Sequence, residues 1–258
     1  NKKGKMKVVK NILKRILPPI FRQAYHKIQY KIFGIESRFK GMNTSDIFDK
    51  IYYDGIWGKD ELGRSTSGSG SHSFDVVKPY VEAVKNEIKT LNCATIVDLG
   101  CGDFNVGKNF VDDCNKYVAC DISSIILERN KQNYQYNNIE YNQINIAEDK
   151  LPKGDLAFVR QVLQHLSNRE IKKFSDYLNK VKPYQHLLIT EGLPFEKGFK
   201  PNIDKPSGSD TRFLLNSGVE LHKKPFLLEY KSKSIICQIN KKMVGADGII
   251  RSTLYKIK

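Results

Sequence analysis

Apolar and polar positions change rhythm along the chain. Residues 6–17 place Val9, Ile12, Leu13, Ile16 and Leu17 at helical spacing, with Lys7, Lys10, Lys14 and Arg15 over the remaining surface. Pro18-Pro19 ends that helix, and Pro19 opens a second one carrying Phe21, Ala24, Tyr25, Ile28 and Ile32 on one side, with Gly34 as its end. Residues 44–63 read as a short helix and a loop rich in aromatics, Phe48, Tyr52, Tyr53 and Trp57. A Ser-Gly stretch from Arg64 to Ser71 follows. Phe74, Val77, Val81, Val84 and Ile88 then predict a helix over 74–90.

From residue 94 short apolar runs alternate with helical spacing. Strands are expected at 94–99, 117–121, 139–144, 154–160 and 185–191, and in the tail near 226–230 and 249–256. Helices are expected at 106–112, 123–133 and 167–181. This alternation predicts an α/β fold, a mostly parallel sheet with helices on both faces. Two units are expected: a helical arm over 1–43 and a domain over 44–258. Within the domain, 44–73 forms a lid with its Ser-Gly loop, and 192–224 forms a long loop.

Charge changes the picture of the arm more than that of the domain. The net charge is +15, yet residues 1–40 hold 12 of the 43 Lys/Arg and a single acid, Glu36. The remaining 218 residues hold 31 basic and 27 acidic side chains. A nucleic-acid-wrapping domain carries its positive face on its body, so this distribution argues against nucleic acid as partner. For residues 6–33 two readings stay open: peripheral contact with an anionic membrane, or a helix pair packed on its own domain or a partner chain. Five scattered cysteines without a CxxC pair argue against a disulfide framework and a zinc site, so no metal is expected and a cytoplasmic setting fits. No run of about 18 apolar residues predicts a transmembrane helix. Lysines break the early apolar stretch, which argues against a signal peptide, and Met6 is a candidate native start.

The chemistry concentrates at strand ends. Thr95-Ile96-Val97-Asp98-Leu99-Gly100-Cys101-Gly102-Asp103 is an apolar strand that ends in an acid and turns through two glycines. A ligand lying across such a turn leaves no room for a Cβ. A nicotinamide-binding GxGxxG would place a third glycine at position 105, where Asn105 stands. The next strand ends at Asp121, 23 residues after Asp98, where a carboxylate can accept two ribose hydroxyls. A helix N-cap explains the same aspartate.

These residues resemble the first motif of class I S-adenosylmethionine-dependent methyltransferases, written (D/E)xGxGxG, with Phe104 where that motif has its third glycine. The resemblance implies a Rossmann-like seven-stranded sheet and S-adenosyl-L-methionine as cofactor. It implies cofactor contacts at Gly100, Cys101, Gly102, Asp103, Asp121 and Ile122. It also places Asn145 and Ile146 beside the adenine, and Arg160 and Gln161 on the cofactor side of the fourth strand. Tyr52, Tyr53 and Trp57 become a water-excluding lid, with Tyr53 and Trp57 toward the cofactor, and Ser69 part of a backbone-donor loop. His165 is the first candidate for catalytic base, with Glu191 and Asp210 as alternatives. Lys205 and Arg212 are candidate anchors for an anionic acceptor, though surface salt bridges explain the same charges.

The aromatic segment, the Ser-Gly loop, Val162-Leu163-Gln164-His165-Leu166-Ser167 and Thr190-Glu191-Gly192-Leu193-Pro194 are similar to bacterial methyltransferases of surface-polysaccharide and capsule modification. That narrower likeness implies a small or glycan-linked anionic acceptor, such as a sugar hydroxyl, phosphate or phosphoramidate. If the arm contacts the membrane, the expected location is cytoplasmic and peripheral at its inner face. An RNA methyltransferase and a non-catalytic methyltransferase-like binding protein are the alternatives.

Overall fold

The computed structural model describes residues 39–195, 198–243 and 246–258. The two helices expected at 6–17 and 19–33 lie outside the described residues. Phe39, assigned by sequence to the arm, is 4% exposed and packs in the domain core. The boundary at 43/44 therefore cuts off a core residue.

Among the described residues, three helices precede the sheet: α1 (Thr44–Asp54), the short α2 (Ser69–His72) and α3 (Phe74–Leu91). Then come β1 (Thr95–Leu99), β2 (Lys116–Asp121), α4 (Ser124–Asn133), β3 (Ile139–Gln143) and β4 (Gly154–Arg160). The chain continues through α5 (Asn168–Val181), β5 (Tyr184–Pro194), β6 (Ser232–Met243) and β7 (Ala246–Lys256). The sheet has seven strands in the order β3-β2-β1-β4-β5-β7-β6. β1 to β5 run parallel, and β7 lies antiparallel between β5 and β6. The strand order reverses between β1 and β4. A crevice therefore opens outside their carboxyl ends, where open parallel sheets bind ligands.

Each face of the sheet has its own core. Phe174, Leu178 and the α1 side chains Ile47, Phe48 and Ile51 pack on one face. Tyr80, Val84 and Ile88 of α3, with Phe104 and Phe110, pack on the other. Burying each such aliphatic or aromatic side chain contributes ~1.5–3 kcal/mol, which fixes α1 against the domain. Asp49 adds direction: its carboxylate accepts from Ser123 Oγ at 2.6 Å and Ser124 Oγ at 3.1 Å at the start of α4. Ser167 caps α5 in a reciprocal box with Glu170.

Three expectations fail for local reasons. The helix expected at 106–112 is two 3₁₀ turns, Gly107–Asn109 and Val111–Asp113, in a segment where glycine and asparagine disfavour α-helix. The strand expected near 226–230 is absent. Phe226 and Leu228 are buried, but Leu227 between them has φ +53° and points out, so the chain turns instead of extending. The strand that was missed, β6, starts Ser232-Lys233-Ser234 and lies at the sheet edge, where polar and charged residues are tolerated.

Candidate active site

A cavity of about 390 Å³ opens at the carboxyl ends of β1, β2 and β4. Its first wall follows β1 and β2. Gly100 has φ +86° and Gly102 φ +56°, and Phe104 holds φ +62° where the motif usually has glycine. The non-glycine residue is accommodated because its ring is fully buried against Tyr117, Tyr134 and Tyr141. The glycines are required by the protein itself. A Cβ on Gly100 would lie 2.3 Å from Val162 Cγ2, and one on Gly102 would lie 2.3 Å from Ser67 Oγ.

Asp121 reaches back under this turn. Its carboxylate accepts from Gly102 N at 2.9 Å and Ser123 N at 3.0 Å, and burial raises it to about 6. It borders the cavity, as do Ile122, Asn145 and Ile146 beyond it. The N-cap reading fails for Asp121, because Ser123 caps α4. Asp98 accepts from Tyr117 Oη at 2.8 Å, and burial raises it to about 7.

The second wall follows β4. Arg160 lies over the Tyr80 ring at 4.8 Å and donates through Nη2 to Gly70 O at 2.5 Å and through Nη1 to Ser71 Oγ at 3.1 Å. Its buried Nε has no partner among the described residues. Gln161 takes φ +56°. Gln164 and His165 come next, on a 3₁₀ turn, Leu163–His165. Burial and the Lys205 ammonium push His165 down to about 3, so the ring is neutral near pH 7.

Residues 44–73 contribute to the cavity wall: of the three aromatics expected there, Tyr52 and Trp57 line it and Tyr53 does not. Trp57 packs against His165 with ring centroids 4.8 Å apart, and its Nε1 donates to Ser209 O at 3.0 Å. Tyr53 is 77% exposed and does not line the cavity. Its neighbour Tyr52 is buried, donates or accepts at 3.0 Å with Ser67 Oγ, and lines the cavity. Phe48 and Tyr52 share one face of α1 at i, i+4, which places Tyr53 on the opposite side.

Asp103 fastens this lid to the glycine turn. It accepts from Ser67 N at 2.7 Å and His72 Nε2 at 2.5 Å, and its own N donates to Ser67 Oγ at 2.8 Å. The His72 and Ser67 bonds outweigh burial and hold Asp103 below its ordinary value; the same pairing raises His72. Ser69 borders the cavity at the start of α2.

Three charged candidates turn out to face inward. Arg212 is fully buried. It donates to Leu163 O at 2.8 Å, Leu166 O at 2.7 Å, Ile203 O at 3.1 Å and Asn168 Oδ1 at 2.9 Å. Lys205 is 3% exposed and donates to Pro206 O at 2.7 Å and His165 O at 3.3 Å; burial lowers it to about 7. Glu191 is 2% exposed and accepts from Leu163 N at 3.0 Å and Gln164 N at 3.1 Å; burial raises it to about 8, against the pull of Arg212. None of the three lines the cavity. Their assignments as acceptor anchors and base are corrected: a buried charge must find partners, and these found the backbone. Asp210 does line the cavity, beside Ser209 and Thr211.

Of the predicted cofactor residues the structure gathers all but Tyr53 around one cavity. It adds Asp98, Tyr52, Ser67, Tyr80, Val162 and Gln164. Asp98 stood in the motif, and the helical spacing of Phe48 and Tyr52 was available to choose between the tyrosines. Ser67 lay within the Ser-Gly stretch, and nothing in the sequence marked Tyr80.

Residues 97–183 match the protein family described as "Methyltransferase domain". No curated protein matches the chain in sequence. Among solved structures, the N-methyltransferase NodS from Bradyrhizobium japonicum, in complex with S-adenosyl-L-homocysteine, is similar at TM-score 0.57 and 13% identity, over 81% of this chain and 100% of that one. Human N-acetylserotonin methyltransferase, in complex with S-adenosylmethionine, is similar at TM-score 0.54 and 16% identity, over 91% of this chain and 65% of that one. The chain therefore has the fold of these methyltransferases, and its residues 97–183 match a methyltransferase domain. Both findings agree with the fold and class expected from sequence.

Proposed function

We propose that the chain methylates a small or glycan-linked acceptor through an uncharged hydroxyl or amine. The observation that carries this reading is the pairing of a cofactor-type wall with an acceptor wall lacking exposed cations. On the cofactor side, Asp121 suits ribose hydroxyls, and Ile122 and Ile146 offer apolar cover for a purine. Asp98 and the unpartnered Nε of Arg160 suit an amino-acid end. These donors and acceptors fit S-adenosylmethionine, which when bound supplies a methyl already activated on a sulfonium.

On the acceptor side the wall consists of Trp57, Gln164, neutral His165, Ser209, Asp210 and Thr211. Lys205 and Arg212 are committed to carbonyls, so the phosphate and phosphoramidate readings lose the residues that supported them. A sugar hydroxyl keeps its support: an aromatic face from Trp57 and several neutral hydrogen-bonding groups. The likeness of the lid and strand-end segments to surface-polysaccharide enzymes points the same way.

The protein's own contribution is positioning and desolvation. Holding the reactants in line contributes ~7–11 kcal/mol at most. The lid excludes water through Trp57 and Tyr52. An imidazole held near 3 is a poor proton acceptor at neutral pH, so Asp210 is the better placed base for an acceptor proton. The experiment has two arms: calorimetric titration with S-adenosylhomocysteine, and a mass-spectrometric screen of methyl transfer to neutral sugars, amines and their phosphorylated counterparts. Binding with transfer to the neutral set supports the reading. Absence of binding overturns the enzyme, and transfer confined to phosphorylated acceptors overturns the acceptor class.

A further inference from the structure

The turn Leu163–Leu166 is held on every side by buried ionisable side chains. Glu191 takes the backbone N–H groups of Leu163 and Gln164. Arg212 takes the carbonyls of Leu163 and Leu166. His165 O receives Lys205 Nζ and Gly208 N. This turn carries Gln164 and His165, both on the acceptor wall, and His165 is in turn packed against Trp57 of the lid.

A short 3₁₀ turn following a strand has few intrinsic hydrogen bonds and no preference for one geometry. Three buried ionisable groups are a costly way to build a turn, since each loses its hydration and apolar packing alone often gives equal stability. Their shared target is what the stability argument leaves unexplained. We propose that Glu191 and Arg212 are positioning residues. They act through the backbone of residues 163–166 to set the placement of Gln164 and His165 against Trp57 and hence the acceptor end of the cavity. The inference rests on the proposed function for its meaning, but not for its test.

Trp57 is the chain's one tryptophan, so its signal reports on this contact without interference. The test uses the full chain with Glu191→Ala, Glu191→Gln and Arg212→Met. The readouts are the indole N–H resonance of Trp57, its quenching by acrylamide, and the affinity for S-adenosylhomocysteine. His165→Ala serves as the reference for loss of the ring contact.

In Glu191→Ala the indole resonance should move in the direction set by His165→Ala, and quenching should rise about twofold, while the Kd for S-adenosylhomocysteine stays within about twofold of wild type. Arg212→Met should do the same. Glu191→Gln keeps one acceptor oxygen and should fall between Glu191→Ala and wild type. If Glu191→Ala does not fold, Glu191→Gln and Arg212→Met carry the comparison. An unmoved indole signal in the folded variants overturns the proposal. So does loss of S-adenosylhomocysteine affinity in step with the indole change, which would mean a general loosening. A wild type that binds no S-adenosylhomocysteine would overturn the proposed function instead, and leave the indole comparison intact.

Discussion

The two walls of the cavity are built on opposite logic. On the β1–β2 side, a polar side chain at a strand end borders the cavity itself: Asp121 does so while bracing Gly102. On the β4–β5 side, the buried ionisable side chains Glu191, Lys205 and Arg212 turn away and hold backbone, while Gln164, neutral His165 and the 209–211 segment face the cavity. The first wall presents its chemistry directly. The second uses its chemistry to shape a surface. A wall of the first kind suits a ligand of fixed structure, and one of the second kind can change specificity through its few exposed residues without losing its frame.

The largest expected effect falls on the frame. Replacing Arg212 by alanine leaves two buried and two part-buried acceptors without this donor, so stability should fall by ~3–5 kcal/mol, read as a lower urea midpoint. A loss under about 1 kcal/mol would mean that this wall is not charge-framed. Next comes Asp121→Ala on the other wall. Losing charge-assisted bonds worth ~1.5–3 kcal/mol each should weaken S-adenosylhomocysteine binding at least tenfold by calorimetry, and removing the brace on Gly102 should also lower stability. Unchanged affinity would break the assignment of that wall to the cofactor.

Gly100→Ala should cost ~1–3 kcal/mol, since the new methyl meets Val162 at 2.3 Å in a left-handed backbone. Adding Val162→Ala should recover part of that loss in thermal unfolding. No recovery would show that the strain is all backbone.

The seam where lid and glycine turn meet should titrate more gently. His72 is raised by Asp103, so its contribution is complete below its ordinary value of 6.5 and is lost as pH rises through its folded value. Asp103 is lowered, so its contribution is complete above 3.8 and is lost as pH falls through its folded value. The pair thus holds the lid fully between those limits, with Lys108 opposing and Asp60 supporting the charge on His72. His72 is partly exposed, so ~0.5 kcal/mol is the scale. Proteolysis of the 60–70 loop should quicken above neutrality in the wild type and lose that pH dependence in His72→Gln. The smallest effect belongs to Tyr53→Ala, within ~0.5 kcal/mol and without change in S-adenosylhomocysteine affinity, whereas Tyr52→Ala should lower both.

The first wall was legible because its chemistry is sequential. Asp98, the two glycines and Asp121 follow strands whose apolar runs are unambiguous, and β4 was placed at Gly154–Arg160, as observed. The second wall was not legible because direction is not written in residue type. Lys205 and Arg212 have the composition of an anion site, and only the path of the 198–224 segment turns them inward. Asn202 helps set that path, donating to Glu220 O and Lys224 O. β6 escaped for a related reason, since an edge strand need not carry an unbroken apolar face.

The hydrogen bond from Trp57 to Ser209 spans 152 residues. A chain emerging from the ribosome exposes the tryptophan long before its acceptor carbonyl is made. Until β5 and the segment behind it have formed, the aromatic face of Trp57 lacks His165 and Ser209 to settle on. The nucleotide-facing half of the domain can take shape first. The roof of the cavity is therefore a late product of synthesis, and a chain cut before Ser209 should keep a glycine turn but never acquire a closed acceptor chamber.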